Sequence, residues 1–192
     1  TTEIYTLSLH DALPISGDIM AGAAGTAGTE DVARPDTPDS LCGWIDDDTN
    51  LHVWENLGVR GVWERYVDDW CRACESSLNF DVMAHPDLVM RFSKEGFAPD
   101  FDPTPLWEQM AECAHDTGRR VEVSTAAPRK GLDDYYPATG LLRCFAHAEV
   151  PITFGSDAHR AYDICWNIRE AQAHAYECGY RTFDIPQIGR AS

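Results

Sequence analysis

Three short apolar segments of the chain each deliver a histidine or a carboxylate at or near the carboxyl end of the segment. They are FDVMA (80–84) before His85, RRVEVST (119–125) with Glu122 inside it, and VPITFG (150–155) before Asp157 and His159. Apolar runs of this length between turn residues are typical of buried strands. In parallel α/β folds the carboxyl ends of the strands form the edge that carries active sites. We therefore predict that these four side chains meet at one rim.

The side-chain types at this rim suit a divalent metal ion. In an extended segment Asp157 and His159, two residues apart, point the same way. A carboxylate beside an imidazole is a donor set for Zn²⁺, Mn²⁺ or Fe²⁺. We predict His85, Asp157 and His159 as metal ligands, with Asp157 and His159 as the catalytic residues. The alternative is that each residue caps a strand or the next helix.

The elements that position these residues follow from hydrophobic spacing and from Pro and Gly punctuation. Helices are predicted at about 60–77, 104–116, 137–148 and 161–178, and strands at 80–84, 119–125, 150–155 and 180–185. Alternation at this spacing indicates βαβ units and a parallel sheet or barrel.

Two further motifs lie near these elements. Cys71 and Cys74 have redox or zinc spacing, but they lack a second ligand pair and fall on the apolar face of a predicted helix, which favours a structural role. Arg129 and Lys130 follow the second strand. A guanidinium near a metal rim can hold a phosphate through two hydrogen bonds.

Composition narrows the class of protein. The 192 residues fit one domain, and a net charge of −17 argues against a nucleic-acid partner. No apolar run reaches the roughly 18 residues of a membrane span. Seven cysteines, an odd number, without a visible secretory signal favour a reduced, cytoplasmic compartment. The sequence does not predict the oligomeric state.

Both ends of the chain resemble translated sequencing adapters. Residues 1–16 read TTEIYTLSLHDALPIS, and residues 187–192 read QIGRAS. The Ser-Leu-His-Asp run at 8–11 is not a triad, because triad residues come from distant positions in the chain. We expect 1–16 and 187–192 to be adapter-derived, without a helix or a role, and 17–42 to be a loop or insertion.

The segments FDVMAHPDLVMRF, VEVSTAAPRKGLDDYYP and VPITFGSDAH resemble three ordered blocks of the polymerase and histidinol phosphatase (PHP) family, closest to its histidinol-phosphatase branch. The resemblance covers about residues 43–184. It implies that residues 43–186 are the C-terminal part of a distorted (β/α)7 TIM-like barrel, an α/β fold truncated at its N-terminus. The family's opening His-x-His has no counterpart in residues 17–80.

The same resemblance implies the roles of individual residues. His85, Asp157 and His159 would be ligands of a trinuclear centre of Zn, Mn or Fe, Arg129 would grip the substrate phosphate, and Glu122 would help shape the substrate site. Ser124 stands where the family usually has Asn, in a loop that contacts the organic part of the substrate.

The function implied for the intact protein is a cytoplasmic, metal-dependent phosphomonoesterase. Its substrate would be a small phosphorylated metabolite, L-histidinol phosphate, hydrolysed to L-histidinol in histidine biosynthesis. We expect the 192-residue chain itself to be inactive. The alternatives are another PHP phosphoesterase or exonuclease, or a non-functional fragment that binds metal.

Overall fold

The computed structural model describes residues 6–7, 45 and 50–185. The strands are β1 (Thr6–Leu7), β2 (Val82–Met83), β3 (Arg120–Ser124) and β4 (Ile152–Gly155). The helices are α1 (Leu51–Glu75), α2 (Thr104–Thr117), α3 (Ala126–Arg129), α4 (Thr139–His147) and α5 (Ile168–Glu177). Two 3₁₀ segments, Leu88–Glu95 and Ala161–Asp163, complete the described secondary structure.

The four strands form one parallel sheet in the order β1-β2-β3-β4. Met83, Val121 and Ile152 are register partners across this sheet and belong to the main apolar core. Because side chains alternate along a strand, Glu122 and its partner Thr153 lie on the opposite face. The sheet thus separates an apolar face from the face that carries the candidate chemistry.

Helices α1, α2 and α4 supply most of the other half of the core. Trp63 on α1 packs against Trp107 on α2 with ring centroids 6.5 Å apart, and Trp70 packs against Phe145 on α4 at 6.0 Å. Aromatic side chains bury large apolar areas, so these contacts hold α1 against α2 and α4. Among the described helices, none is both long enough and apolar enough to cross a membrane.

The structure confirms the alternating α/β order and corrects several boundaries. β2 has two residues where five were predicted, and α1 begins at Leu51, with a kink at Gly58. The predicted helix at 161–178 is interrupted, since Cys165 and Asn167 have left-handed φ values of 59° and 58° that end helical geometry. No strand forms at 180–185. The described residues show a parallel sheet, and closure into a barrel stays a prediction.

One strand lies in the segment that resembles an adapter. Thr6 and Leu7 pair in parallel with Val82 and Met83, whereas we expected no role for residues 1–16. The edge of a parallel sheet presents unpaired N–H and C=O groups to any extended backbone, whatever its side chains. This pairing therefore does not test where residues 1–16 come from, and their origin stays a prediction, as do the assignments of 17–42 and 187–192, which lie outside the described residues.

Candidate active site at the carboxyl ends of the strands

The Glu122 carboxylate is the centre of the candidate site. It extends from β3, and its Oε2 accepts a hydrogen bond from the backbone N–H of His85 at 3.2 Å. His85 follows β2 and is buried. The two strand ends predicted to converge are therefore joined directly by a carboxylate.

Gly155 at the end of β4 makes room for this carboxylate. A Cβ atom built on Gly155 would lie 1.7 Å from Glu122 Oε1 and 2.7 Å from its carboxyl carbon. Non-bonded atoms do not approach that closely, so the position accepts only glycine while Glu122 keeps this rotamer. The third strand end thus contributes space to the site as well as Asp157.

Burial raises the pKa of Glu122 to about 7. The hydrogen bond from the His85 N–H opposes this shift, and the negative charge of nearby Asp157 adds to it. A carboxyl group with a pKa near 7 is populated in both protonation states at neutral pH. Glu122 can therefore accept or donate a proton there.

The backbone at His85 and Asp157 departs from ordinary geometry. Their φ values are 26° and 46°, a left-handed region that residues other than glycine rarely adopt. Such conformations concentrate at functional sites, where the surrounding structure holds them. Two of the three residues predicted to carry chemistry after β2 and β4 are of this kind.

The left-handed turn at Asp157 corrects the prediction of an extended segment there. His159 nevertheless lies beside Asp157: its Nδ1 is 3.0 Å from the Asp157 carbonyl oxygen and 3.8 Å from Oδ1. The His159 side chain is 79% exposed. The carboxylate and the imidazole are therefore adjacent because the backbone turns, and not because side chains alternate.

Arg129 ties the segment after β4 to the end of α3. Its Nη2 donates to the carbonyl oxygens of Ser156 and Asp157 at 2.6 and 2.8 Å, and its Nε lies 3.8 Å from Asp163 Oδ1. Its Nη1 is buried and has no hydrogen-bond partner among the described residues. Arg129 thus positions Asp157, and its Nη1 is a buried donor that no described residue satisfies.

The described residues do not by themselves fit a metal centre. Within residues 50–185, no three His, Cys, Asp or Glu side chains are arranged to hold a metal ion. The donor types suit divalent metals, but His159 is turned to solvent and the Glu122 carboxylate is engaged by the His85 N–H. The described residues therefore show a cluster of two carboxylates beside an anchored guanidinium, and metal ligation by His85, Asp157 and His159 stays a prediction.

Sequence reasoning missed two residues that shape the rim. Asp87 is 1% exposed, and its Oδ2 accepts a hydrogen bond from the Ala138 N–H at 2.7 Å, which ties the loop after β2 to the start of α4. Gly155 was visible only as the last residue of a strand. The Asp of the His-Pro-Asp motif was a usable signal for Asp87, whereas the role of Gly155 depends on the rotamer of Glu122.

Comparison with known proteins finds two relatives that are named as histidinol phosphatases. A curated Deinococcus radiodurans protein named "Probable histidinol-phosphatase" is 28% identical over 130 residues, which cover 67% of this chain and 47% of the relative. A crystal structure from Listeria monocytogenes, described as a "putative histidinol phosphatase", has a TM-score of 0.58 at 18% identity and covers 65% of this chain and 51% of its own. Both are histidinol phosphatases by name.

These two similarities support the resemblance to histidinol phosphatases over about two thirds of this chain. The chain spans about half the length of each of these two proteins. At 18% identity the structural likeness concerns the fold. No family model matches the chain. The α/β fold with a parallel sheet is therefore shared with a histidinol phosphatase structure.

Proposed function

We propose that the protein represented by this chain is a phosphomonoesterase that hydrolyses L-histidinol phosphate, with divalent metal ions (Zn, Mn or Fe) as cofactors. The observation that carries this proposal is the cluster at the rim, where Glu122 joins His85 and lies near Asp157, while Arg129 is fixed beside it. The curated relative and the structural neighbour support the substrate class through their names. Ligands beyond the described residues would be needed to complete the metal centre.

The residues of this chain have separable roles in that reaction. The Nη1 group of Arg129 would bind a phosphate oxygen, and its Nη2 bonds would hold Asp157 in place. Glu122, with a pKa near 7, would hold or release a proton close to the phosphate. A divalent metal would supply a nucleophilic water at neutral pH when bound.

Phosphate release from L-histidinol phosphate, measured on the purified protein, tests the proposal. We expect Arg129→Gln to lower kcat/KM about ten- to a hundredfold, because a hydrogen bond to a charged group contributes roughly 1.5–3 kcal/mol. Lys130→Gln is the matched control, since Lys130 is the exposed neighbouring cation. Equal losses in the two variants would contradict the role of Arg129.

Metal dependence needs its own measurement. A chelator is expected to abolish phosphate release, and Zn²⁺, Mn²⁺ or Fe²⁺ to restore it. Turnover that persists after all metal is removed would refute this part of the proposal. Parallel assays on single-stranded DNA address the exonuclease alternative, which the net charge of −17 disfavours.

A further inference from the structure

Three cysteine residues lie near one another at the contact between α1 and α2. Cys71 and Cys74 lie one turn apart on α1 and are buried, and Cys113 on α2 is partly exposed. The thiols of Cys71 and Cys74 lie close enough to Cys113 to lower the pKa of its thiol. The Cys113 Sγ also lies 3.4 Å from the carbonyl oxygen of Cys71.

Packing accounts for the two buried thiols, and Cys113 packs against the same core while staying partly exposed. Cys71 and Cys74 are core residues, as their sequence spacing indicates, but the Cys113 sulfur reaches the surface, where a carboxylate oxygen of Glu75 lies 4.0 Å away. Within residues 50–185 no group of three His, Cys, Asp or Glu residues is suited to a metal ion. The cluster therefore combines the partly exposed Cys113 with two buried neighbours, Cys71 and Cys74.

We propose that Cys113 is the reactive thiol of a redox site that forms a disulfide between α2 and α1 when the protein meets a hydroperoxide. In the first step the Cys113 thiolate attacks a peroxide oxygen, the O–O bond breaks, and the leaving oxygen takes up a proton. This step yields a sulfenic acid at Cys113, and it reduces the peroxide to an alcohol or water.

In the second step the sulfur of Cys71 or Cys74 attacks the Cys113 sulfur. The S–S bond forms as the S–O bond breaks, and the hydroxyl group leaves with the thiol proton as water. Two thiols have then lost two electrons to one peroxide. The Cys113 sulfur already lies 3.4 Å from the backbone of Cys71, so the reacting side chains start from neighbouring positions.

The electrostatics of the cluster favour this order of events. The nearby Cys74 thiol lowers the pKa of Cys113 most, and the Cys71 thiol adds to the effect. The burial of Cys113 and the charges of Glu75 and Asp116 oppose it without reversing it. Burial raises the pKa of Cys71 and Cys74, so these thiols stay protonated until a sulfenic acid forms beside them.

Peptide mapping of the full 192-residue chain after treatment with hydrogen peroxide tests the proposal. We expect a disulfide between the Cys113 peptide and the peptide carrying Cys71 and Cys74, reversible by dithiothreitol. A link within the Cys71–Cys74 peptide alone, or conversion of Cys113 to sulfinic acid without any disulfide, would overturn the proposal. The unsubstituted chain gives this answer, so no variant has to fold.

Variants then assign the roles. Cys113→Ser and the double variant Cys71→Ala with Cys74→Ala are each expected to lose the disulfide completely. Cys144→Ser is the matched control, because Cys144 is also partly exposed and lies on a neighbouring helix. Alkylation by iodoacetamide at neutral pH should be several-fold faster at Cys113 than at Cys144, whose pKa is raised by burial. Equal rates, or a disulfide that persists in Cys113→Ser, would refute the assignment.

Discussion

Glu122 and His159 lie at the same rim but are held in opposite ways. The Glu122 carboxylate lies between the ends of three strands, accepts the His85 N–H and fills the space above Gly155. His159 is 79% exposed and stands on a segment without regular secondary structure. The sheet therefore fixes one half of the site, and the other half depends on the anchoring of residues 156–167.

That anchoring comes from a small number of hydrogen bonds. Arg129 holds the carbonyl groups of Ser156 and Asp157, and Thr125 Oγ1 donates to the carbonyl oxygen of Trp166 at 2.8 Å. The two anchors lie at the two ends of α3: Thr125 immediately precedes the helix, and Arg129 is its last residue. A segment attached mainly through its backbone to one neighbouring turn can be loosened without unfolding the sheet.

The largest expected loss of stability comes from a substitution in the half of the site that the sheet fixes. Gly155→Ala would place a Cβ atom against the Glu122 carboxylate, and we expect it to lower the free energy of unfolding by about 3 kcal/mol, at the upper end of the usual cost of overpacking. Urea unfolding measures this change. Gly61→Ala is the control: the nearest side-chain atom to its Cβ is 3.4 Å away, so alanine should stabilise α1 by about 0.5–1 kcal/mol.

A double variant identifies the cause. If the clash with Glu122 is the reason, Gly155→Ala combined with Glu122→Ala should be more stable than the sum of the two single changes predicts. Strict additivity would mean that Gly155 is required for its backbone and not for the space it leaves.

A smaller effect is expected at Asp87, also in the fixed half. Burial raises the pKa of Asp87 from 3.8 to about 7 in the folded protein, so folding favours the protonated form. The stability that this group contributes is complete below pH 4 and is lost as the pH rises through 7. Between pH 5 and 8 the wild type should lose about 2–3 kcal/mol more than Asp87→Asn, which stays neutral and can still accept from the Ala138 N–H.

Urea unfolding at the two pH values measures this difference. Asp87→Ala, which removes the acceptor, serves as the comparison and should be less stable than Asp87→Asn at both values. Parallel pH profiles for wild type and Asp87→Asn would show that Asp87 is ionised in the folded state.

The contrast between the two halves also marks what the sequence could and could not predict. α2, β3 and β4 lie close to their predicted positions, because apolar spacing and the Pro and Gly residues at their ends carry strong signals. The convergence of His85, Glu122 and Asp157 followed from the rule that parallel strands share an edge. These inferences need only patterns that are local in the sequence.

The features that the sequence did not predict depend on tertiary contacts. The helix predicted at 161–178 fails at Cys165 and Asn167, whose left-handed backbones no apolar pattern reveals. Glycine is needed at position 155 because the side chain of Glu122, 33 positions earlier, occupies the space that a Cβ atom would take. The third thiol beside Cys71 and Cys74 comes from another helix, so the Cys-x-x-Cys spacing alone suggested only a structural role.

The smallest expected effect is a loss of local stability in residues 156–167, the half of the site that is held by few hydrogen bonds. Arg129→Lys keeps the positive charge but loses the planar fork that reaches two carbonyl groups, at a cost of about 1 kcal/mol. Amide hydrogen exchange should then accelerate across residues 156–167 while the rates in β3 and β4 stay unchanged. Arg60→Lys, at an exposed pair with Glu64 on α1, should leave both regions unaffected. Faster exchange in β3 of the Arg129 variant would show that the two halves of the rim are one cooperative unit, because loosening the segment would then have loosened the sheet.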